Sequence, residues 1–335
     1  MGPELIVLGI LGAALILYAL LGGADFGAGI WEFNTAFQPG DDERELIQRA
    51  VGPVWEANHV WLLFALVLGH TAFPLAYQAA AQALWLPLLL ALAGIVFRGV
   101  GFVFRAYAVD SPFLRSVWGA VFALASTAAP FFFGAALGAV ASGELAFTEA
   151  GAYAGSYLTG WIQPLGIFTA FFAVGVCSYL AAVYFTREAA NLGNEALVAT
   201  WRRRALATGA WMGILAAVGL VFLALEAPEL WSGLAAGWLL IAASAVSGGA
   251  SLWALARSRF TAASLAAAGA VVAVMAGWML AQYPYLLPPA IEVETAKGPE
   301  PVLWGAVIAA SLGAALLLPA LALLFRLFKA PPGVD

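Results

Sequence analysis

Val51–Trp61 reads VGPVWEANHVW and opens an apolar run that continues to Phe73. It sets an ionisable Glu56, an amide Asn58 and an imidazole His59 inside what otherwise reads as a membrane helix. A charged side chain at the centre of a bilayer costs about 3 kcal/mol on insertion scales, so a chain that keeps one pairs it, wets it or uses it. Pro53 suits a first helical turn, where its missing N–H costs nothing. Glu56 and His59, three residues apart, share a helix face that Leu63 continues.

The rest of the chain agrees with a membrane setting. Of 335 residues, 64% are hydrophobic and 10% charged, against about 25% charged in soluble domains; mean hydropathy is +0.93. Fourteen Lys and Arg against nineteen Asp and Glu give a net charge of −5, which argues against a nucleic-acid partner. The single cysteine, Cys177, cannot build a disulfide or a cysteine metal site within one chain, and lies in an apolar run. The N-terminus lacks the basic region and small-residue cleavage site of a signal peptide, so the first apolar segment is expected to stay in the mature protein.

Runs of about 20 apolar residues predict nine spans. They are Leu5–Phe26, Pro53–Phe73, Ala80–Phe102, Val117–Val140, Ile162–Phe185, Leu206–Leu225, Gly233–Leu255, Ala262–Leu280 and Val302–Phe325. Short breaks at Pro74–Gln82 and Glu226–Ser232 predict helical hairpins. Two longer loops stand out, Ser142–Gly160 and Gln282–Pro301; the second is Pro-rich and acidic, with little regular structure expected. Lys and Arg stay on the cytoplasmic side. They concentrate in alternate loops and the C-terminal tail, including Arg44, Arg105, Arg187, Arg203 and Arg257, whereas the opposite loops hold only Lys297. This predicts an N-terminus outside and a C-terminus in the cytoplasm.

At 1.5 Å per residue, Asp25 falls about 30 Å down the first span, near the cytoplasmic surface. Arg98 is similarly late in the third span, and Glu56 enters from the same side. Asp25 lies in GGADFGAG (Gly22–Gly29). Such glycines let helices approach closely, or let a helix unwind around a protein-lined cavity. Asp25 could equally cap a helix end, Arg98 snorkel to the interface, and Glu56 form a purely structural pair with Arg98. The functional alternative is a desolvated Glu56 carboxylate relaying protons inward, with Arg98 tuning it and His59 beside the path.

His59 and His70 are eleven residues apart on one helix, about 16 Å along its axis, and cannot ligate one iron. No second helix supplies a ligand that its spacing singles out, so no haem is expected on this chain alone. Trp residues gather at membrane interfaces; Trp55 and Trp61 are candidates for packing against a quinone or a partner subunit. A proton-coupled transporter would call for inverted repeats and a site at the midplane. No internal repeat is evident, and the charged groups are placed off the midplane.

GADFGAGIW, GPVWEANHVWL and VFRGVGFVFR, together with nine spans, resemble subunit II of cytochrome bd-type quinol oxidases. The likeness is strongest over Gly22–Tyr107; beyond, it rests on span count and on segments such as WIQPLGIF (Trp161–Phe168). The resemblance implies an all-α polytopic membrane protein of two four-helix bundles (1–141 and 161–281) and a peripheral ninth helix (302–328). It implies a haem-free chain in the prokaryotic cytoplasmic membrane, beside a subunit I that carries two haems b, one haem d and the quinol-oxidising loop. Small single-helix accessory subunits are further partners, and in some members subunit II holds a structural quinone. The proton-path residues it implies are Glu56, at the position of the family's membrane-embedded carboxylate, and Asp25, the second acid of its D-G-F-D-x-G-x-G pattern. Arg98 matches the arginine of F-R-x-V-G-F, with Asn58 and His59 beside it. The first acid of the Asp25 pattern is missing here. The implied reaction is quinol oxidation coupled to reduction of oxygen to water.

Overall fold

The computed structural model describes residues 2–36, 41–51, 55–107, 111–148 and 151–329. Its elements in chain order are α1 (Pro3–Ala36), α2 (Asp41–Val51), α3 (Trp55–Ala72), α4 (Pro74–Ala83), α5 (Trp85–Tyr107), α6 (Pro112–Ala141) and α7 (Pro164–Asn191). There follow α8 (Glu195–Glu226), α9 (Pro228–Ala256), α10 (Phe260–Gln282), β1 (Tyr285–Leu287), β2 (Ile291–Glu292), α11 (Val293–Ala296) and α12 (Glu300–Lys329). Among the described residues, eight helices are long and apolar enough to cross a bilayer: α1, α5 to α10 and α12. The pair α3–α4 meets the same test as one unit bent by 119°. The fold is all-helical and multi-pass.

Local chemistry sets the helix starts. Proline occupies the first turn of α4, α6, α7 and α9, where no N–H is needed. The Ser111 and Asn194 side chains accept from the Leu114 and Leu197 N–H groups, capping α6 and α8.

Three expectations are corrected. Pro74–Gln82 is not a break but helix α4, because an Ala-rich run behind a proline at N1 is a strong helix former. Its Ala76, Ala79 and Ala83 are buried. The loop Gln282–Pro301 is not irregular. Tyr285 pairs with Glu292 in the β1–β2 hairpin and α11 follows. The apolar residues Leu287, Ile291, Val293 and Ala296 bury against Phe73, Ala76 and Val7, which holds the segment over one end of the bundle. The Gly298 N–H donates to the Ala72 carbonyl at 2.7 Å, tying it to α3. The third correction concerns α1, whose 34 residues run unbroken through Gly22–Gly29 and ten residues beyond Phe26.

α1 is the hub: it packs against α3, α6, α7, α10 and α12. Gly27 shows why the motif carries glycine without unwinding, and Gly101 plays the same part on α5. A Cβ on Gly27 would collide with the Cys177 backbone carbonyl of α7. On α5, a Cβ at Gly101 would stand 2.8 Å from the Phe122 backbone nitrogen of α6. Small residues bring backbones into van der Waals contact where lipid offers no hydrophobic drive. That close approach decides which side chains α1, α5 and α6 share.

A ladder of ion pairs on the central helix

Tyr18, Asp25 and Glu32 are spaced by sevens along α1, so they lie on one face, each about 10.5 Å from the next. On α5, Arg98 and Arg105 have the same spacing. The helices meet rung to rung. The Arg98 Nη2 donates to the Asp25 Oδ1 at 2.7 Å, and to the Asp25 backbone carbonyl at 3.3 Å. Arg105 forms an ion pair with Glu32. Because the pairs meet in the same order on both helices, α1 and α5 run parallel. The Phe122 ring of α6 stands between the two guanidiniums, 5.3 Å from that of Arg98 and 5.1 Å from that of Arg105. Phe26 adds a second ring 5.3 Å from Arg98. Aromatic faces attract such cations, and more so when water is excluded.

The upper rung is uncharged. The Tyr18 hydroxyl lies 3.5 Å from the His59 Nδ1 of α3, and both the Tyr18 and Phe26 rings touch the imidazole. Asn58, buried, donates to the Leu21 carbonyl at 3.3 Å, which holds the start of α3 against α1. Trp61 is half-buried against the cluster of Tyr18, Phe26, Ala129 and Cys177. The structure therefore gathers Asp25, Arg98, His59 and Asn58 at one place. Glu56 belongs to the first turn of α3, but its side chain and that of Trp55 lie outside the described ones. His70 is apart from the site, exposed, with its ring edge-on to Tyr77 at 5.0 Å.

Two readings of the charged residues change. Asp25 caps no helix end: eleven residues of α1 follow it, and it sits about 8 Å from the helix midpoint. Arg98 does not snorkel; it is fully buried. Sequence reasoning missed Tyr18, Glu32 and Arg105. The first is an uncharged residue inside a predicted span, and the other two fall outside the spans that hydropathy delimits. Their seven-residue spacing is the signal that could have found them.

Buried ion pairs strung along one face of a central apolar helix define a multi-pass helical membrane protein with ionisable groups in its interior. The chain belongs to the family described as cytochrome bd terminal oxidase subunit II, whose profile matches residues 3–328. It is 28% identical over 179 residues to a cytochrome bd-I ubiquinol oxidase subunit 2 of Escherichia coli K12, covering 52% of this chain and 46% of that protein. It is 34% identical over 118 residues to a cytochrome bd ubiquinol oxidase subunit 2 of Bacillus subtilis, covering 35% and 34% of the two chains. The chain thus spans about half the length, or less, of the curated relatives it matches. In fold it is similar to a chain of the bd oxidase from Geobacillus thermodenitrificans, with a TM-score of 0.79 over 98% of this chain and 99% of that one, at 24% identity. It is a multi-pass protein of the prokaryotic cytoplasmic membrane.

Proposed function

We propose that this chain is the haem-free second subunit of a cytochrome bd-type quinol:oxygen oxidoreductase, and that its α1 face takes protons from the cytoplasm for reduction of oxygen to water. The observation that carries the proton role is the Asp25–Arg98 pair, desolvated within the bundle. A buried pair is weak evidence for stability, since apolar residues of the same volume often do as well. Ionisable groups inside membrane proteins mark ion and proton routes.

In this reading the haems sit on the partner subunit, where they supply the electron transfer and the oxygen chemistry. The residues of this chain move protons only. Glu56, in the first turn of α3, accepts a proton from the cytoplasmic side and releases it inward. Asp25 is the second carboxylate, ion-paired with Arg98. His59 and Tyr18, in contact with each other, continue the polar file beyond Asp25, and Asn58 fixes α3 in register with α1. Each electron delivered to oxygen consumes one proton. Drawing that proton from inside makes turnover electrogenic, worth about 2.3 kcal/mol per charge per 100 mV. The arrangement has the N-terminus outside, α3–α4 completing a ninth crossing, and the C-terminus in the cytoplasm. The first four crossings and the next four form two bundles, with α12 peripheral. A structural quinone and single-helix accessory subunits are compatible with the broad apolar surfaces of α5, α9 and α12.

Co-purification tests the assignment. The chain tagged at its C-terminus and extracted in mild detergent is expected to bring down a partner with haem b and haem d bands in the reduced-minus-oxidised spectrum, together with quinol-dependent oxygen uptake. A colourless preparation would overturn it.

A further inference from the structure

Outside the residues assigned above, α1 carries a second buried acid, Glu32, ion-paired to Arg105. Three acid–arginine pairs descend in order from the interior: Asp25–Arg98, Glu32–Arg105, and Glu43–Arg204 at 2.9 Å between α2 and α8. Side-chain exposure rises along that order, from 5% and 1%, through 7% and 8%, to 19% and 25%. Glu32 is four residues from the end of α1 and Arg105 two residues from the end of α5. The middle pair therefore stands near the ends of both helices and keeps a small exposed fraction.

Between the middle and inner pairs lies Ser126 of α6, fully buried, its Oγ without a hydrogen-bond partner among the described residues. It packs against Gly29, which is four residues past Asp25 and three before Glu32 on the same helix. A buried hydroxyl without a partner costs about 1–3 kcal/mol. Here it is the one polar group on α6 placed midway between two ion pairs that stand about 10.5 Å apart.

We infer that Glu32 is a second proton-collecting mouth, feeding Asp25 alongside Glu56, with Arg105 its positioning residue and Ser126 the hydroxyl that links it to Asp25. This rests on the proton-uptake reading above. The Glu32 carboxylate gains a proton from a cytoplasmic hydronium, leaving water, and its O–H bond then breaks as the same proton passes inward. The carboxylate is restored, and no other bond changes. Arg105, ion-paired to Glu32, holds the carboxylate in position on the α1 face. Phe122 stands between the two guanidiniums, 5.3 Å from one and 5.1 Å from the other.

The test uses the whole oxidase complex. Glu32→Gln should assemble with an unchanged haem spectrum but lower oxygen turnover about a hundredfold. The solvent deuterium isotope effect should rise, and the rate should begin its decline with rising pH at a lower pH than in the parent. Glu32→Asp, which keeps the carboxylate, should restore most of the rate. A merely structural ion pair would move neither the isotope effect nor the pH profile. Turnover unchanged in Glu32→Gln, while Glu56→Gln is slow, would overturn this proposal alone. Turnover unchanged in both would remove the proton-uptake reading and this proposal with it. Should Glu32→Gln not assemble, Ser126→Ala decides: a slower rate with a raised isotope effect supports the link, and an unchanged rate and isotope effect overturn it.

Discussion

Arg98→Met is expected to destabilise the protein by about 3–5 kcal/mol, because it leaves the Asp25 carboxylate buried without its counter-charge. Arg98 has a recorded ion pair at 2.7 Å, a further bond to the Asp25 carbonyl and two aromatic rings against its guanidinium. Met fills similar volume, so the loss reports charge rather than a cavity. The double variant Asp25→Leu/Arg98→Met should regain the parent's stability, since an apolar pair of matching volume commonly does no worse than a buried ion pair. It should nevertheless turn over slowly. Thermal aggregation midpoints in mild detergent, read beside oxygen uptake, separate the two properties. A single variant as stable as the parent would show that Asp25 does not depend on Arg98. A double variant that is stable and fully active would show that the pair carries no protons.

Glu56→Gln carries the second large effect. Gln preserves shape and hydrogen-bonding capacity but cannot release a proton, so assembly should be unaffected while turnover falls by about a hundredfold, the scale of a lost proton-transfer group. Glu56→Asp, one methylene shorter, should retain most of the rate. Haem content per complex normalises the comparison. Full turnover in an assembled Glu56→Gln complex would contradict a proton role for Glu56.

How much of this was legible in the sequence follows from the range of each interaction. Membrane spans are local, and the apolar runs located them. The segments between spans needed more than hydropathy. Pro74–Ala83 looks like a loop by its polar Gln78 and Gln82, but its alanines build a helix whose one face is buried. The segment after α10 looks irregular by its prolines, yet its alternating apolar residues have partners on α1, α3 and α4 that lie far away in sequence. In the site, Asp25 and Arg98 announced themselves as charges in apolar surroundings. Their mutual pairing did not, because it depends on the parallel register of α1 and α5, which lie far apart in sequence. Glu32 and Arg105 were lost to a boundary error: ending the first span at Phe26, and reading Arg105 as a cytoplasmic loop residue, removed the second rung from view. Glu56 stands out in the sequence by cost alone, as an acid in a predicted membrane helix, and its side chain lies outside the described ones.

Sidedness of proton uptake is the measurement that bears most directly on the account. The complex is reconstituted into vesicles whose orientation is established from a C-terminal tag, and a pH indicator is confined to one side at a time during quinol-driven turnover. The account predicts that protons disappear on the side bearing the C-terminus, one for each electron passed to oxygen, and that Glu56→Gln slows this disappearance in step with turnover. Uptake from the opposite side, or uptake in Glu56→Gln at the parent's rate, would contradict it.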